Sequence, residues 1–187
     1  MLSTQAKQLM QQYKTQFMQD CAERAPKLTA FIQEILQGRH WFFSDENKAF
    51  DQAVALIMEY DYQDFSVCGW LCNQNGSYLG DRIIDFPEEC LPKFDADVED
   101  EIYGLGQGIN GKYQVWDAVD DFYSGLYEHF DRWFTDCFRT AAQNTASTLP
   151  TYFSVHDTNS YTNLATMQKE LCDDIAQKFG WASFWQD

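Results

Sequence analysis

The glycines, cysteines and histidines that could do chemistry are scattered, and few of them form a spacing typical of a known site. Gly106, Gly108 and Gly111 spell the dinucleotide-binding pattern G-x-G-x-x-G. That pattern requires a buried strand before it, because the strand aims the glycine turn at the pyrophosphate. An acidic run, Asp97 to Glu101, precedes it instead, and its field would repel a pyrophosphate. We therefore interpret this segment as a flexible loop, with nucleotide binding as the alternative.

Two cysteines, Cys68 and Cys72, are four residues apart in a segment with strand character, so their side chains point to one face. A structural zinc site needs four ligands, and Cys90 is a third candidate without an evident fourth. The remaining cysteines of the six are scattered. We expect all of them to be reduced, apolar and buried, and we predict no metal, with zinc as the alternative.

The chain has three histidines, and none of them stands in a catalytic motif. His156 and Asp157 are adjacent, but neighbours on a strand point to opposite faces, so a base and its orienting carboxylate are not expected there. The patterns G-x-S-x-G, H-E-x-x-H and the P-loop are absent. A Cys–His pair assembled in space would leave little trace in sequence. We assign no catalytic residue and predict no cofactor, and keep an enzyme with a dispersed site as the alternative.

Apolar residues recurring every three or four positions indicate the helices that must position these groups. This periodicity predicts about five helices, over residues 2–21, 28–36, 44–60, 114–139 and 164–179. Pro26 separates the first two, Ser44 is the N-cap of the third, and Gly180 ends the last. The fourth has the strongest signal, and we expect Phe130 on it to lie at the centre of the core.

Strand character appears in three shorter segments. Phe65–Cys72 and Tyr78–Ile84 flank Asn75-Gly76, a strong hairpin signal, and Tyr152–Val155 is a third candidate. Residues 85–112 are interpreted as connecting structure. The order of elements predicts a mainly helical α+β fold, with the helices packed on a small antiparallel sheet that includes a hairpin near residues 65–84. A length of 187 residues suits one globular domain, 1–187.

Acidic residues dominate the charge, with 29 Asp and Glu against 13 Lys and Arg and a net charge of −16. The segment from Asp85 to Asp136 alone has 14 acidic and 3 basic residues. Such a chain repels nucleic acid and anionic membranes and attracts basic proteins. The first 20 residues lack the apolar core of a signal peptide, and no apolar run approaches the roughly 20 residues that span a bilayer. A cytoplasmic protein that binds neither nucleic acid nor membrane is expected.

The concentration of carboxylates beside aromatic residues predicts a protein that captures, and thereby inhibits, a basic protein partner. The predicted partner-binding residues are Asp97, Glu99, Asp100, Glu101, Tyr103, Tyr113, Asp117, Asp120 and Asp121. In size, acidity and aromatic content the chain resembles the small acidic immunity proteins that neutralise bacterial toxins in the cytoplasm, which implies toxin neutralisation. A charge that serves solubility alone, and a scaffold or self-associating protein, are further alternatives.

Overall fold

The computed structural model describes residues 3–40, 49–79, 83–94, 97–106 and 112–184. The helices in this part of the chain are α1 (Thr4–Leu36), α2 (Ala49–Gln52), α3 (Asp97–Gly106), α4 (Lys112–Thr145) and α5 (Cys172–Phe179). The strands are β1 (Ala55–Tyr60), β2 (Val67–Cys72), β3 (Ile84–Asp85), β4 (Thr151–Val155), β5 (Ser160–Asn163) and β6 (Gln168–Leu171). No helix among these residues has both the length and the apolarity to cross a membrane.

The six strands form one mixed sheet in the order β3-β2-β1-β4-β5-β6. Strands β1 and β4 run parallel, and all other neighbours are antiparallel. The predicted α+β class is confirmed, but the sheet is larger than expected and is not purely antiparallel. The physical reason is the long connection through α4, which returns the chain to lie beside β1 in the same direction.

Both sides of the sheet are covered, and this explains the burial of β1. Leu56, Met58 and Tyr60 belong to the core under α1 and α4, whereas Ala55 and Ile57 belong to a second core under α5. All six residues of β1 are therefore buried. A strand buried on both faces loses the polar alternation by which strands are recognised in sequence.

The third predicted helix, residues 44–60, is wrong for its second half, which is strand β1. Its apolar residues also fit a helical stripe, because a short apolar run has no decisive period. Only Ala49–Gln52 is helical in the described part of this segment, and Ser44 lies outside the described residues. This error matters for the site, because Glu59 lies on β1.

The predicted break at Pro26 is also wrong, since α1 continues through it from Thr4 to Leu36. A proline inside a helix removes one backbone hydrogen bond and costs about 3 kcal/mol. The buried stripe continues on both sides of it, with Phe17 and Cys21 before Pro26 and Leu28 and Ile32 after it. Packing of this stripe offsets the local cost.

The C-terminal segment differs most from its prediction. Residues 164–179 were expected to be one helix, but β5 and β6 form a hairpin through a turn in which Met167 has a φ of +61°, and only Cys172–Phe179 is helical. Gly180 ends α5 in the left-handed conformation, as predicted. The apolar stripe that predicted this helix includes Met167 and Leu171, which are exposed in the structure. Their helical spacing therefore arose by chance.

The turn at Asn75-Gly76 and the fourth helix agree with the sequence, whereas the predicted strand Tyr78–Ile84 is reduced to an isolated bridge at Tyr78 and the start of β3 at Ile84, with residues 80–82 outside the described part. Tyr78 bridges Cys72 across the turn, and Gly76 in that turn has a φ of +83°. A Cβ at Gly76 would lie 2.7 Å from Cγ of Trp181, so the position needs glycine for space as well as for conformation. The fourth helix is longer than predicted, and Phe130 at its centre is fully buried.

Candidate functional site

The predicted acidic residues lie on two helices rather than in a loop. Residues 97–101 were interpreted as connecting structure, but they form the first half of α3. The reason is the spacing of Val98 and Ile102, which are buried one turn apart while Asp100 and Glu101 face solvent. Asp97 is the first residue of α3.

On α4 the three predicted carboxylates share the exposed side. Asp117, Asp120 and Asp121 are exposed, whereas Val119 and Phe122 between and beside them are buried. The helical period therefore separates them cleanly from the core stripe. Four predicted residues belong to α3 and α4, but their side chains are outside the described part of the structure: Asp97, Glu99, Tyr103 and Tyr113.

Among the described residues, no cation pairs with the carboxylates of this surface. The ion pairs among the described residues engage none of Asp100, Glu101, Asp117, Asp120 and Asp121. Here these five carboxylates are called the acidic surface. They give the solvent-exposed sides of α3 and α4 a field of one sign.

Two exposed aromatic residues lie beside Asp117 in sequence or against the middle of α4, and they were not among the predicted ones. Trp116 on α4 is 48% exposed, and Tyr62 in the β1–β2 turn is 51% exposed. The Tyr127 hydroxyl of α4 donates to the Tyr62 carbonyl oxygen at 3.1 Å, so this turn is attached to the middle of α4. The turn also carries the exposed Asp64.

A second constellation lies where the parallel strands β1 and β4 end. Glu59 on β1 is 1% exposed and faces the α5 side of the sheet. Its Oε1 accepts a hydrogen bond from the Tyr161 hydroxyl of β5, and its Oε2 lies 2.7 Å from Nδ1 of His156. A buried carboxylate is stable only with such partners. Carboxyl ends of parallel strands are also common places for sites.

The imidazole of His156 is oriented by this buried carboxylate and remains half exposed. Nδ1 is directed to Glu59, and Nε2 points outward, 3.4 Å from Oδ1 of Asp157. The hydrogen bond to Glu59 raises the pKa of His156. The expectation that His156 and Asp157 point apart is wrong, because β4 ends at Val155 and both residues lie beyond the strand.

Sequence reasoning missed Glu59 because that position was assigned to a helix. A charged residue within the buried run ALIMEY was the available signal, since Glu is almost never fully buried unless it is paired. Its partners are 97 and 102 residues away in the chain. No local pattern indicates which residues those are.

The cysteines are free, and their surroundings make them poor nucleophiles. Five of them are buried, and Cys68 is partly exposed. Burial raises the pKa of Cys21 and Cys72 to about 12, and it raises that of Cys68 and Cys137 to about 11. Thiols in such surroundings stay protonated and inert. Within the described ranges, no group of three or more His, Cys, Asp or Glu side chains is arranged to hold a metal ion.

The glycine pattern does not have the surroundings of a nucleotide site. Gly106 is the last residue of α3, so a helix precedes the pattern where the dinucleotide fingerprint requires a strand. Gly108 and Gly111 lie outside the described residues.

The chain matches no family model, no curated protein and no solved structure.

Proposed function

We propose that this is a binding protein that captures a basic protein partner on its acidic surface and inhibits it by covering it. The proposal includes a cytoplasmic location and a toxin-neutralising role of the kind that acidic immunity proteins perform. The observation that carries it is the stripe of exposed carboxylates on α4, Asp117, Asp120 and Asp121, without a cation among their described neighbours.

These carboxylates do not stabilise α4, so the stability of the fold does not explain their presence. Asp117 is three residues from Asp120 and four from Asp121, and like charges at those spacings destabilise a helix by about 0.2–0.5 kcal/mol per pair. The helix dipole does not compensate, because its effect is confined to the first turn. Solubility requires net charge, but not its concentration on one face of α4. A positive partner surface would remove the repulsion.

Partner capture needs more than charge, and the exposed aromatic residues provide it. Complementary charge mainly accelerates association, whereas buried aromatic side chains supply most of the affinity of an interface. Trp116 and Tyr62 have the exposure for this role. We expect Trp116→Ala to raise the dissociation rate, with little effect on association.

The experiment begins with affinity capture from the source cells at low and high salt, and the captured partner is then purified. Association rates are measured for the wild type and for the triple variant Asp117→Asn, Asp120→Asn and Asp121→Asn. A matched control removes three carboxylates elsewhere: Glu23→Gln, Asp51→Asn and Asp174→Asn. The proposal expects slow, salt-insensitive association for the first variant only. Equal slowing by both variants would mean that net charge alone acts.

The Glu59–His156 pair favours a second function, an enzyme in which His156 is a general base. A buried carboxylate that fixes the tautomer of a half-exposed imidazole is the arrangement of such a base, and Nε2 would act once a substrate displaces the exposed carboxylate of Asp157. Because the thiols are protonated, water or a substrate hydroxyl would be the nucleophile. An activated ester such as p-nitrophenyl acetate serves as a probe. This function requires turnover that is lost in His156→Gln and reduced in Glu59→Gln; turnover equal in all three proteins excludes it for this substrate class.

A further inference from the structure

An aromatic ridge runs along the first half of α4. Residues three and four apart on a helix are neighbours on its surface, so one side of α4 carries Trp116, Asp120, Tyr123 and Tyr127 in succession. Trp116 is 48% exposed, Asp120 is exposed, and both tyrosines are partly exposed. The carboxylate of Asp120 therefore lies about one helical turn from an aromatic side chain in each direction.

Carboxylates follow the neighbouring ridge of the same helix. Asp117, Asp121 and Glu128 are exposed, and each comes one position after a member of the aromatic ridge. The two ridges run side by side for about 16 Å, because an α-helix rises about 1.5 Å per residue. The ion pairs among the described residues engage neither Asp120 nor these three carboxylates.

The turn between β1 and β2 adds a second exposed aromatic side chain to this side of the molecule. The Tyr127 hydroxyl donates to the carbonyl oxygen of Tyr62, whose side chain is 51% exposed. Phe65 in the same turn has a φ of +58° and is fully buried, with its ring 4.9 Å from that of Phe130 between centroids. Packing thus holds the turn in an unfavourable backbone conformation, and it fixes the position of Tyr62 and of the exposed Asp64 beside it. A fixed turn loses little entropy when a partner binds.

Aromatic rings beside carboxylates fit arginine better than lysine. The guanidinium group is planar, so it can stack on an aromatic face while its edge donates two parallel hydrogen bonds to a carboxylate. The lysine ammonium is a compact, strongly hydrated charge that gains from a carboxylate but less from a ring. The carboxylates alone would attract both side chains, and the rings favour arginine.

We propose that the basic partner presents arginine rather than lysine side chains to this side of the protein. One guanidinium stacks on Trp116 and pairs with Asp120, and a second stacks on Tyr62 and pairs with Asp64. The inference rests on the proposed function, and it adds the identity of the basic groups that are captured.

Two fluorescently labelled peptides of equal length and charge test the preference, one of alternating Arg and Ser and one of alternating Lys and Ser. Their affinities are measured by fluorescence anisotropy at low salt. We expect the arginine peptide to bind about tenfold more tightly, because only its side chains stack on the rings. Equal affinities, or absence of binding by both peptides, would overturn the inference. The proposed function would stand or fall separately, by the association rates of the purified partner.

Single variants locate the preference. Trp116→Ala and Tyr62→Ala should each weaken binding of the arginine peptide roughly threefold and leave that of the lysine peptide almost unchanged. Asp120→Asn should weaken binding of both peptides, since it removes a charge that attracts either one. Tyr78→Ala is the matched control, because Tyr78 is 45% exposed and its ring contacts Trp70 on the α5 side of the sheet. A preference for arginine that survives both Trp116→Ala and Tyr62→Ala, or that Tyr78→Ala reduces equally, would overturn the assignment to this surface.

Discussion

The two halves of α4 share one buried stripe, but they expose different chemistry. Phe122 and Leu126 in the first half and Phe130 and Phe134 in the second are all buried. The first half exposes the carboxylates of the acidic surface, at residues 117–121. The second half exposes two acidic and two basic residues, Asp131, Arg132, Asp136 and Arg139, so its exposed charges balance.

The difference shows which features the fold requires and which it does not. The buried stripe is required, because α4 covers the sheet and packs on α1. The outer charges are not required by the helix dipole, which acts within the terminal turns. Asp117 lies beyond the first turn of α4, and Arg132 lies well before its last. We propose that the difference in exposed charge between the two halves of α4 serves binding.

The largest effect is expected where the two halves share the core. Phe130→Ala should lower the free energy of unfolding by about 3–5 kcal/mol, through lost burial and a residual cavity. The ring lies 4.9 Å from those of both Tyr60 and Phe65, measured between centroids. Urea unfolding measures the loss, with Ser124→Ala as an exposed control on the same helix. A loss below about 1 kcal/mol would mean that the stripe is not the core.

A smaller loss in the free energy of unfolding is expected when the buried carboxylate of Glu59 is replaced. Glu59→Gln disturbs the hydrogen bonds to Tyr161 and His156 at a buried position, and it should cost about 1–3 kcal/mol. The same change from carboxylate to amide at the exposed Asp120 should not destabilise the protein. Equal effects of the two substitutions in thermal melts would remove the distinction between buried and exposed carboxylates.

The pair also predicts a dependence on pH. Because Glu59 raises the pKa of His156, protonation of the imidazole stabilises the folded state. This contribution is complete below the unfolded pKa of about 6.5 and is lost as pH rises through the higher folded pKa. His156→Gln should therefore destabilise the protein more at about pH 5.5 than at about pH 9. A destabilisation that grows with pH would contradict the assigned hydrogen bond.

The smallest expected change in stability comes from removing exposed charges, and it has opposite signs in the two halves of α4. Replacing Asp117, Asp120 and Asp121 by Asn should raise stability by about 0.5–1 kcal/mol at low salt, because like-charge pairs are removed. Replacing Arg132 and Arg139 by Gln should lower it, since the net charge becomes more negative. Both effects should vanish near 1 M salt, where screening acts within about 3 Å. A stability change of the same sign in both variants would show that the two halves of α4 do not differ in their exposed charge.

The sequence predicted those helices and turns in which one face is buried and the other is exposed to solvent. The core role of Phe130, the turn at Gly76 and the end of α5 at Gly180 followed from local periodicity and turn chemistry. Strand β1 was missed, because burial on both faces removes alternation. The continuity of α1 through Pro26 depends on tertiary packing, and no local rule includes that.

The residues of the candidate sites also differ in whether the sequence predicts them. The exposed carboxylates Asp117, Asp120 and Asp121 were predicted from charge alone, because an outward helical face needs no partner in the chain. Glu59 and its partners were not predicted, because they lie on segments distant in sequence. Spacing along the chain carries no information about contacts of that kind.

The most direct test of the account is the association rate of the purified partner across a salt series. We predict fast wild-type association that slows steeply as salt rises, because complementary charges steer the encounter. The Asp117, Asp120 and Asp121 triple variant should associate several-fold more slowly and with a flatter dependence on salt. Wild-type and variant rates that coincide and ignore salt would contradict the account, and the acidity of α4 would then serve solubility alone.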